Sequence, residues 1–200
     1  MNKTWINRLA SDIEKKHGKE ARDRIFGDIN TVGNDRQAMT VWFENFIAKL
    51  DELNDNEFVK EIMAKRSPCR WNEKLRVDAV KNSYENSTSF EEFAFLCDKN
   101  GFVSQKIEFD TNDNVLYLLK LPMNKMNSGK CGKGCHCFLA CRTDKYISDL
   151  FCHCCTVGFD GRPFRNVFGN DIKIEFIESF ITNGKPCKTA VYIPKKEDWK

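Results

Sequence analysis

The sequence predicts an α+β fold in which a helical N-terminal layer packs on an antiparallel sheet with a cysteine-rich metal-binding segment. Three observations predict it. Apolar residues recur at helical spacing up to about residue 100, they alternate from residue 102 onwards, and eight of the ten cysteines follow residue 130. We therefore divide the chain into a helical region, 1–100, and a cysteine-rich α/β region, 101–200, and expect the two to form one compact unit.

Five segments of the first half combine an apolar stripe with signals for a helix end. They are Trp5 to Ile13, Met39 to Leu50, Asp55 to Met63, Trp71 to Tyr84, and Phe93 to Cys97. The last segment has the clearest ends. Ser87-Thr88-Ser89 before Glu91-Glu92 is a capping signal, and Asn100-Gly101 is typical of a helix C-terminus.

The second half predicts two hairpins separated by the cysteines and a short helix. The first hairpin joins Phe102–Phe109 to Val115–Leu121, and the second joins Ile172–Phe180 to Pro186–Ile193. In the second hairpin Asn183-Gly184 favours a two-residue turn. The intervening helix begins near Asp160-Gly161-Arg162-Pro163 and ends at Gly169.

Composition excludes several functional classes. The 200 residues contain no run of about 20 apolar residues and no apolar N-terminal core, so we expect no membrane span, no signal peptide and a cytoplasmic location. Because the net charge is only +3, we do not expect nucleic acid as a partner. Ten cysteines in a reducing compartment instead indicate metal binding or thiol chemistry.

Seven cysteines fall within 25 residues and are candidate metal ligands: Cys131, Cys135, Cys137, Cys141, Cys152, Cys154 and Cys155. Thiolates are preferred ligands of Zn²⁺. The spacing matches neither the paired C-x₂-C of a zinc ribbon nor the C-x₂-C-x₂-C run of iron-sulfur proteins. We therefore predict zinc ahead of an iron-sulfur cluster, and a cluster ahead of an unmetallated set of thiols.

Two histidines lie between cysteines, in Cys135-His136-Cys137 and Cys152-His153-Cys154. Either imidazole would serve as a metal ligand or would lower the pKa of a neighbouring thiol by ion pairing. The alternative of a surface histidine between two inward cysteines stays open. His17, at a lysine-rich helix end, is interpreted as structural.

Strand parity in the last hairpin places a carboxylate and a thiol together. Ile174, Phe176, Glu178 and Phe180 share one face, and a two-residue turn would bring Glu178 diagonally opposite Cys187. A buried carboxylate needs a metal, a cation or a shifted pKa, so both residues are candidate metal ligands. In the alternative, a bulge near Glu178 turns its carboxylate to solvent.

The last third of the chain resembles the core of the 4-vinyl reductase type of domain. The resemblance lies in Phe151 to Gly158, Phe164 to Gly169 and Ile174 to Cys187, about 40 residues in all. Domains of this kind carry a cysteine-bearing segment, a short helix ending near a glycine, a strand with a glutamate, a turn glycine and a final cysteine. The resemblance implies an α/β module that binds a small molecule.

Some members of that family hold a structural zinc, and the resemblance implies Glu178 and Cys187 as ligands here, with a third from Cys152, Cys154 or Cys155. A helical first half and a similar glycine-to-cysteine ending also resemble the L-2-amino-thiazoline-4-carboxylate hydrolase-like group. That second resemblance implies a ring-opening enzyme with a cysteine nucleophile. It leaves open whether the chain is catalytic.

We therefore predict a zinc-binding domain that binds or senses a small molecule. A small-molecule hydrolase or other thiol-dependent enzyme is the first alternative, and an iron-sulfur redox protein is the second. The expected partner is a small-molecule ligand, without membrane or nucleic acid. A homodimer is one alternative for the oligomeric state.

Overall fold

The computed structural model describes residues 3–27, 36–122, 135, 137, 148–197 and 199. These residues form an α+β fold with helices in the N-terminal part and a four-stranded antiparallel sheet. The chain forms two units, of which the first comprises Met1–Pro68 and Met123–Cys154 and the second comprises Cys69–Pro122 and Cys155–Lys200. Each unit is discontinuous in sequence, so the grouping differs from a division near residue 100.

The helices are α1 (Lys3–Phe26), α2 (Arg36–Asp51), α3 (Asn56–Lys65), α4 (Glu73–Glu85), α5 (Phe90–Asn100), α6 (Asp149–Cys152), a π-helix (Cys154–Asp160), α7 (Arg162–Phe168) and α8 (Phe180–Asn183). The strands are β1 (Lys106–Asp110), β2 (Val115–Lys120), β3 (Ile174–Glu178) and β4 (Cys187–Tyr192). No helix among the described residues is both long enough and apolar enough to cross a membrane.

The first unit is built around the apolar stripes of α1 and α2. Trp5, Leu9 and Ile13 are at most 5% exposed, as their four-residue spacing predicts. In α2 the Trp42 ring stacks on Phe46 with 5.1 Å between the ring centroids. These aromatic side chains therefore form the core of this unit.

A bidentate ion pair joins α1 to the residue that follows α3. Arg66 donates from Nε to Asp12 Oδ2 at 2.5 Å and from Nη2 to Oδ1 at 2.9 Å. The hydrogen bonds from Arg66 lower the pKa of the Asp12 carboxyl. This pair makes the stability of the first unit depend on pH.

The sheet of the second unit has the strand order β1-β2-β4-β3, and every neighbouring pair is antiparallel. Directly opposed residues point to the same face. Leu116 and Leu118 of β2 are opposite Val191 and Thr189 of β4, and they belong to the core that the sheet shares with α4, α5 and α7. At the end of this face, Lys120 is opposite Cys187, so polar side chains occupy its last row.

The capping signals before and after α5 are confirmed. Ser89 Oγ accepts a hydrogen bond from the Glu92 amide at 3.2 Å, and Glu92 Oε2 accepts from the Thr88 amide at 2.7 Å. Gly101 ends the helix with φ 70°, a left-handed conformation that favours glycine. The first predicted hairpin is confirmed as well, with Asp110 opposite Val115.

The connection in the last hairpin is a helical turn, and the predicted two-residue turn is wrong. Residues Phe180–Asn183 form α8, which the Gly184 amide closes by donating to the Phe180 carbonyl at 2.9 Å. Ser179 and Thr182 share a side-chain hydrogen bond of 2.9 Å across the same turn. These hydrogen bonds within the turn use polar groups that a longer strand would leave for its neighbour, so β3 ends before Phe180.

Candidate functional site

The described cysteines lie in both units. Cys135, Cys137, Cys152 and Cys154 belong to the first unit, and Cys69, Cys97, Cys155 and Cys187 belong to the second. The predicted ligands Cys131 and Cys141, and also His136, lie outside the described residues.

Lys120 lies at the centre of the polar group in the second unit. Its Nζ is 2.8 Å from Asp160 Oδ2, and it donates to Cys155 Sγ at 2.9 Å and to the Cys155 carbonyl at 3.1 Å. We call Lys120, Cys155, Asp160 and Arg76 the lysine-thiol site.

The π-helix explains why Cys155 and Asp160 meet at one ammonium group. In a π-helix each backbone bond spans five residues, so side chains five positions apart lie near each other. The Gly161 amide donates to the Thr156 carbonyl at 3.2 Å in this pattern. Cys155 and Asp160 are themselves five positions apart and contact Lys120 together.

Arg76 of α4 holds the other side of Asp160. Its Nη2 is 3.3 Å from Asp160 Oδ1, and its guanidinium also donates to main-chain carbonyls at 2.9 to 3.2 Å. The Phe159 ring contacts both cations, with its centroid 4.0 Å from Arg76 Cζ and 5.0 Å from Lys120 Nζ. Asp160 thus bridges a helix cation and a strand cation.

The buried charges of the site do not balance if Cys155 is a neutral thiol. Arg76, Lys120 and Asp160 are 3%, 12% and 5% exposed, which leaves two buried cations for one carboxylate. Nearby, Glu73 is 3.1 Å from Arg70 and 3.8 Å from Arg162, so this carboxylate has cationic partners of its own. A thiolate on Cys155 would supply the missing negative charge.

The pKa of Lys120 is determined by burial and by its acidic neighbours. Burial alone lowers it, but the negative charges of Asp160 and Cys155 outweigh burial and raise the pKa above its ordinary value. Lys120 therefore stays an ammonium ion at neutral pH. For Arg76, burial lowers the pKa of the guanidinium.

Two further thiols interact electrostatically with Cys155. Burial raises the pKa of both Cys69 and Cys187, and a negative charge on Cys155 raises each further. Cys187 Sγ also accepts a hydrogen bond from the Phe180 amide at 3.3 Å. Of the three thiols, Cys155 alone has the Lys120 ammonium group in contact with its sulfur among the described residues.

The structure places Glu178 beside Lys188 rather than beside Cys187. A register shift between Phe176 and Glu178 makes Glu178 the cross-strand partner of Lys188. Its Oε2 accepts a hydrogen bond from Asn183 at 3.0 Å. The carboxylate is thus used at the turn, as in the bulge alternative, and the ligand pair implied by the resemblance does not fit this geometry.

The described cysteines of the first unit are largely buried. Cys135, Cys152 and Cys154 are 5–7% exposed, and the Cys137 amide is 3.4 Å from Cys135 Sγ, to which it donates. Within the described ranges, no group of three or more His, Cys, Asp or Glu side chains is arranged to hold a metal ion. The zinc prediction therefore depends on cysteines that lie partly outside those ranges.

His153 is neutral at physiological pH. Burial, followed by the nearby Lys60 ammonium group, lowers the pKa of its imidazole to about 4. A neutral imidazole does not stabilise a thiolate by ion pairing, but it is the form that binds metals. The ion-pairing role considered for His153 is therefore not supported.

Sequence reasoning missed Lys120, Asp160 and Arg76. A signal for Lys120 exists, because the alternation of Leu116 and Leu118 continues to Lys120 and places a charge on the core face of β2. Comparison with known protein families, with curated proteins and with solved structures finds no match to this chain. The resemblance to the 4-vinyl reductase type of domain therefore stays a prediction.

Proposed function

We propose that this chain is a thiol-dependent protein that acts on small molecules, with Cys155 as its nucleophile. The observation that carries the proposal is the 2.9 Å contact between Cys155 Sγ and the Nζ of the buried Lys120. A thiolate is the reactive form of cysteine, and a neighbouring cation favours it. The unbalanced positive charge of the site supports the same protonation state.

The parts of the site have distinct roles in this proposal. Cys155 is partly exposed, and the proposal requires that its sulfur be the part that a small electrophile reaches. Lys120 holds the sulfur as an anion, and Asp160 positions Lys120 at 2.8 Å. Asp160 and Arg76 are positioning residues, because they act on the sulfur only through Lys120.

A buried hydroxyl on the same sheet face supports a small-molecule ligand. Thr189 is 1% exposed, and its Oγ1 has no hydrogen-bond partner in the described part of the chain. It lies on β4 two residues from Cys187 and on the same face. Buried polar atoms are nearly always paired, so a bound ligand or water is the expected partner.

Alkylation of the native protein by iodoacetamide tests the proposal. We expect Cys155 to react roughly tenfold faster than Cys69 and Cys187, because only a thiolate attacks and the pKa values of the other two thiols are raised. Cys97 is the internal control, since it is fully buried and its pKa is raised to about 12. Mass spectrometry with fragmentation assigns each modified cysteine.

Two substitutions at Lys120 separate charge from packing. Lys120→Met should slow alkylation of Cys155 by roughly tenfold, whereas Lys120→Arg should retain most of the rate because it keeps the cation. Lys106→Met, at an exposed position of β1, is the matched control. Equal alkylation of Cys155, Cys69 and Cys187 in the unmodified protein would refute the proposal, even if the Lys120 variants fail to fold.

We propose zinc binding by the cysteines of the first unit as a second function. The amide donated to Cys135 Sγ supports it, because a hydrogen bond to sulfur stabilises the thiolate that a metal needs. Elemental analysis after purification without oxygen should give about one zinc per chain. Cys135→Ser should lower that content and Cys97→Ser should not, whereas iron with visible absorption would favour the iron-sulfur alternative.

A further inference from the structure

We propose that Cys187 is the resolving thiol of the lysine-thiol site, so that Cys155 and Cys187 together exchange with small-molecule disulfides. The proposal rests on the proposed function of Cys155 and adds its substrate class and a second reacting residue. Cys187, which has no part in the first step at Cys155, thereby acquires a role.

Sheet register places Cys187 beside Lys120, whose ammonium group contacts the nucleophile. Lys120 and Cys187 are directly opposed in the antiparallel pair of β2 and β4, so their side chains share one face, with Cβ atoms about 4.5–5.5 Å apart. Lys120 Nζ in turn is 2.9 Å from Cys155 Sγ. Cys187 is therefore opposite the base of the Lys120 side chain, and the Cys155 sulfur lies at its ammonium end, on the face that the helices cover.

A main-chain donor is directed at the Cys187 sulfur. The Phe180 amide at the start of α8 donates to Cys187 Sγ at 3.3 Å. Such a bond stabilises negative charge on that sulfur. The bond also holds the Cys187 sulfur at the start of β4, opposite Lys120.

Cys69 is the competing resolving thiol, and its surroundings favour it less. The described contacts include a donor to its main-chain carbonyl, from Arg162, and none to its sulfur. Burial and the charge on Cys155 raise the pKa of both thiols, and neighbouring groups oppose that shift at both, so the difference lies in the Phe180 amide at the Cys187 sulfur. Geometry and hydrogen bonding thus favour Cys187.

The reaction has two balanced steps. The Cys155 thiolate attacks one sulfur of a disulfide R–S–S–R, forms a Cys155–S–S–R bond and releases R–S⁻. The Cys187 thiol loses its proton to solvent, and its sulfur attacks Cys155 Sγ, forms the Cys155–Cys187 disulfide and releases the second R–S⁻. The substrate disulfide is the oxidant, and a dithiol in solution restores both thiols by the reverse exchange.

Reaction with bis(2-hydroxyethyl) disulfide under anaerobic conditions tests the proposal. The full-length protein should lose two hydrogen atoms, retain no adduct and yield a cross-link between the peptides that contain Cys155 and Cys187. Trypsin releases Cys187 in a peptide without other cysteines, whereas Cys152, Cys154 and Cys155 share one peptide and need fragment ions for assignment. Dithiothreitol should reverse the change.

Single serine variants identify the role of each thiol. Cys187→Ser should trap the hydroxyethylthio adduct on Cys155 and clear it roughly tenfold more slowly than the unmodified protein. Cys155→Ser should give neither adduct nor cross-link, and Cys69→Ser, the matched control, should behave like the unmodified protein.

Three results would overturn the inference. They are an adduct that persists on Cys155 of the unmodified protein, a cross-link from Cys155 to Cys69, and absence of any reaction with the disulfide. If iodoacetamide still modifies Cys155 fastest, only this inference fails and the proposed nucleophile stands. If Cys155 reacts with neither reagent, both fail together.

Discussion

At the scale of single residues, Asp160 is the carboxylate on which the charges of the lysine-thiol site depend. It accepts from Arg76 and from Lys120, two side chains that are 3% and 12% exposed. A buried ion pair contributes little beyond well-packed apolar residues, but removal of one partner leaves an uncompensated charge. The cost of losing Asp160 should therefore exceed the net contribution of the pair.

We expect Asp160→Asn to lower the free energy of unfolding by about 3–5 kcal/mol, because it leaves two buried cations without a carboxylate. Urea denaturation measures the change. Glu108→Gln is the control, since Glu108 pairs with Lys106 and Lys188 but is 43% exposed. That exposed network should contribute about 1 kcal/mol or less. Similar losses in the two variants would contradict the burial of the Asp160 pairs.

The immediate neighbours of each cysteine also explain why the thiols differ in reactivity. Cys97 and Cys155 both belong to the second unit, but the first is fully buried and the second contacts an ammonium group. Burial without a cation raises the pKa of the Cys97 thiol to about 12. A cysteine is thus inert or reactive according to its neighbours, and a count of cysteines does not distinguish the two.

At the scale of elements, the junction between the π-helix and α7 determines where Cys155 and Asp160 lie. Gly161 occupies this junction with ordinary helical angles, φ −73° and ψ −18°. A Cβ atom there would be 2.5 Å from the Val157 carbonyl and 2.7 Å from Ile174 Cδ1. Space, rather than backbone conformation, requires glycine at this position.

Gly161→Ala should therefore destabilise the protein by about 1–3 kcal/mol, the usual cost of overpacking. It should also slow alkylation of Cys155, because the π-helix must shift to admit the methyl group. Thermal unfolding and the iodoacetamide assay measure the two effects. Asn166→Ala, at an exposed position of α7, should change neither. A stable Gly161→Ala variant with unchanged Cys155 reactivity would contradict this account of the junction.

At the scale of the whole molecule, the two units respond to different conditions. The proposed exchange reaction makes the second unit respond to the redox state of its thiols. The stability of the first unit depends on pH through the Asp12–Arg66 ion pair. The pKa of Asp12 is lowered in the folded state, chiefly by its hydrogen bonds with Arg66.

The sign of the acid dependence follows from that shift. An unfolded Asp has a pKa of about 3.9, so the contribution of Asp12 to stability is complete above about pH 5 and is lost as pH falls through the lowered folded-state pKa. Asp12→Asn should thus lower the unfolding temperature near pH 7 and make no difference near pH 2. In a chain that already carries Arg66→Met, the same Asp12→Asn change should have little effect at either pH. A difference that grows towards low pH would contradict the assignment.

Features that depend on neighbouring residues could be predicted from the sequence. The caps of α5 lie within the chain segment from Thr88 to Gly101, and the first hairpin turn lies between Asp110 and Val115. Such signals act over a few residues and meet little tertiary competition. The last hairpin shows the limit, because Ser179 and Thr182 stabilise a helical turn where Asn183-Gly184 favours a tight one.

The candidate site depends on residues that are distant in sequence. Lys120 and Cys155 are 35 positions apart, and Arg76 and Asp160 are 84 apart. Cys187 does share its face with core residues, but the two-residue turn from which that was expected is wrong. The register shift before Glu178 separated Cys187 from the carboxylate. A single bulge reverses the parity of every later residue, and only the paired strands reveal it.

The sequence by itself determined the α+β class, the positions of most helices and strands, and the presence of many thiols. Hydrophobic periodicity, helix caps and composition can each be recognised within a short segment, without knowledge of the tertiary structure. The tertiary structure alone decided which thiol meets a cation, because a buried charge is stable only beside a partner that folding brings from elsewhere in the chain. The lysine-thiol site is therefore a consequence of how β2, β4, α4 and the π-helix pack, and no segment of the sequence contains it.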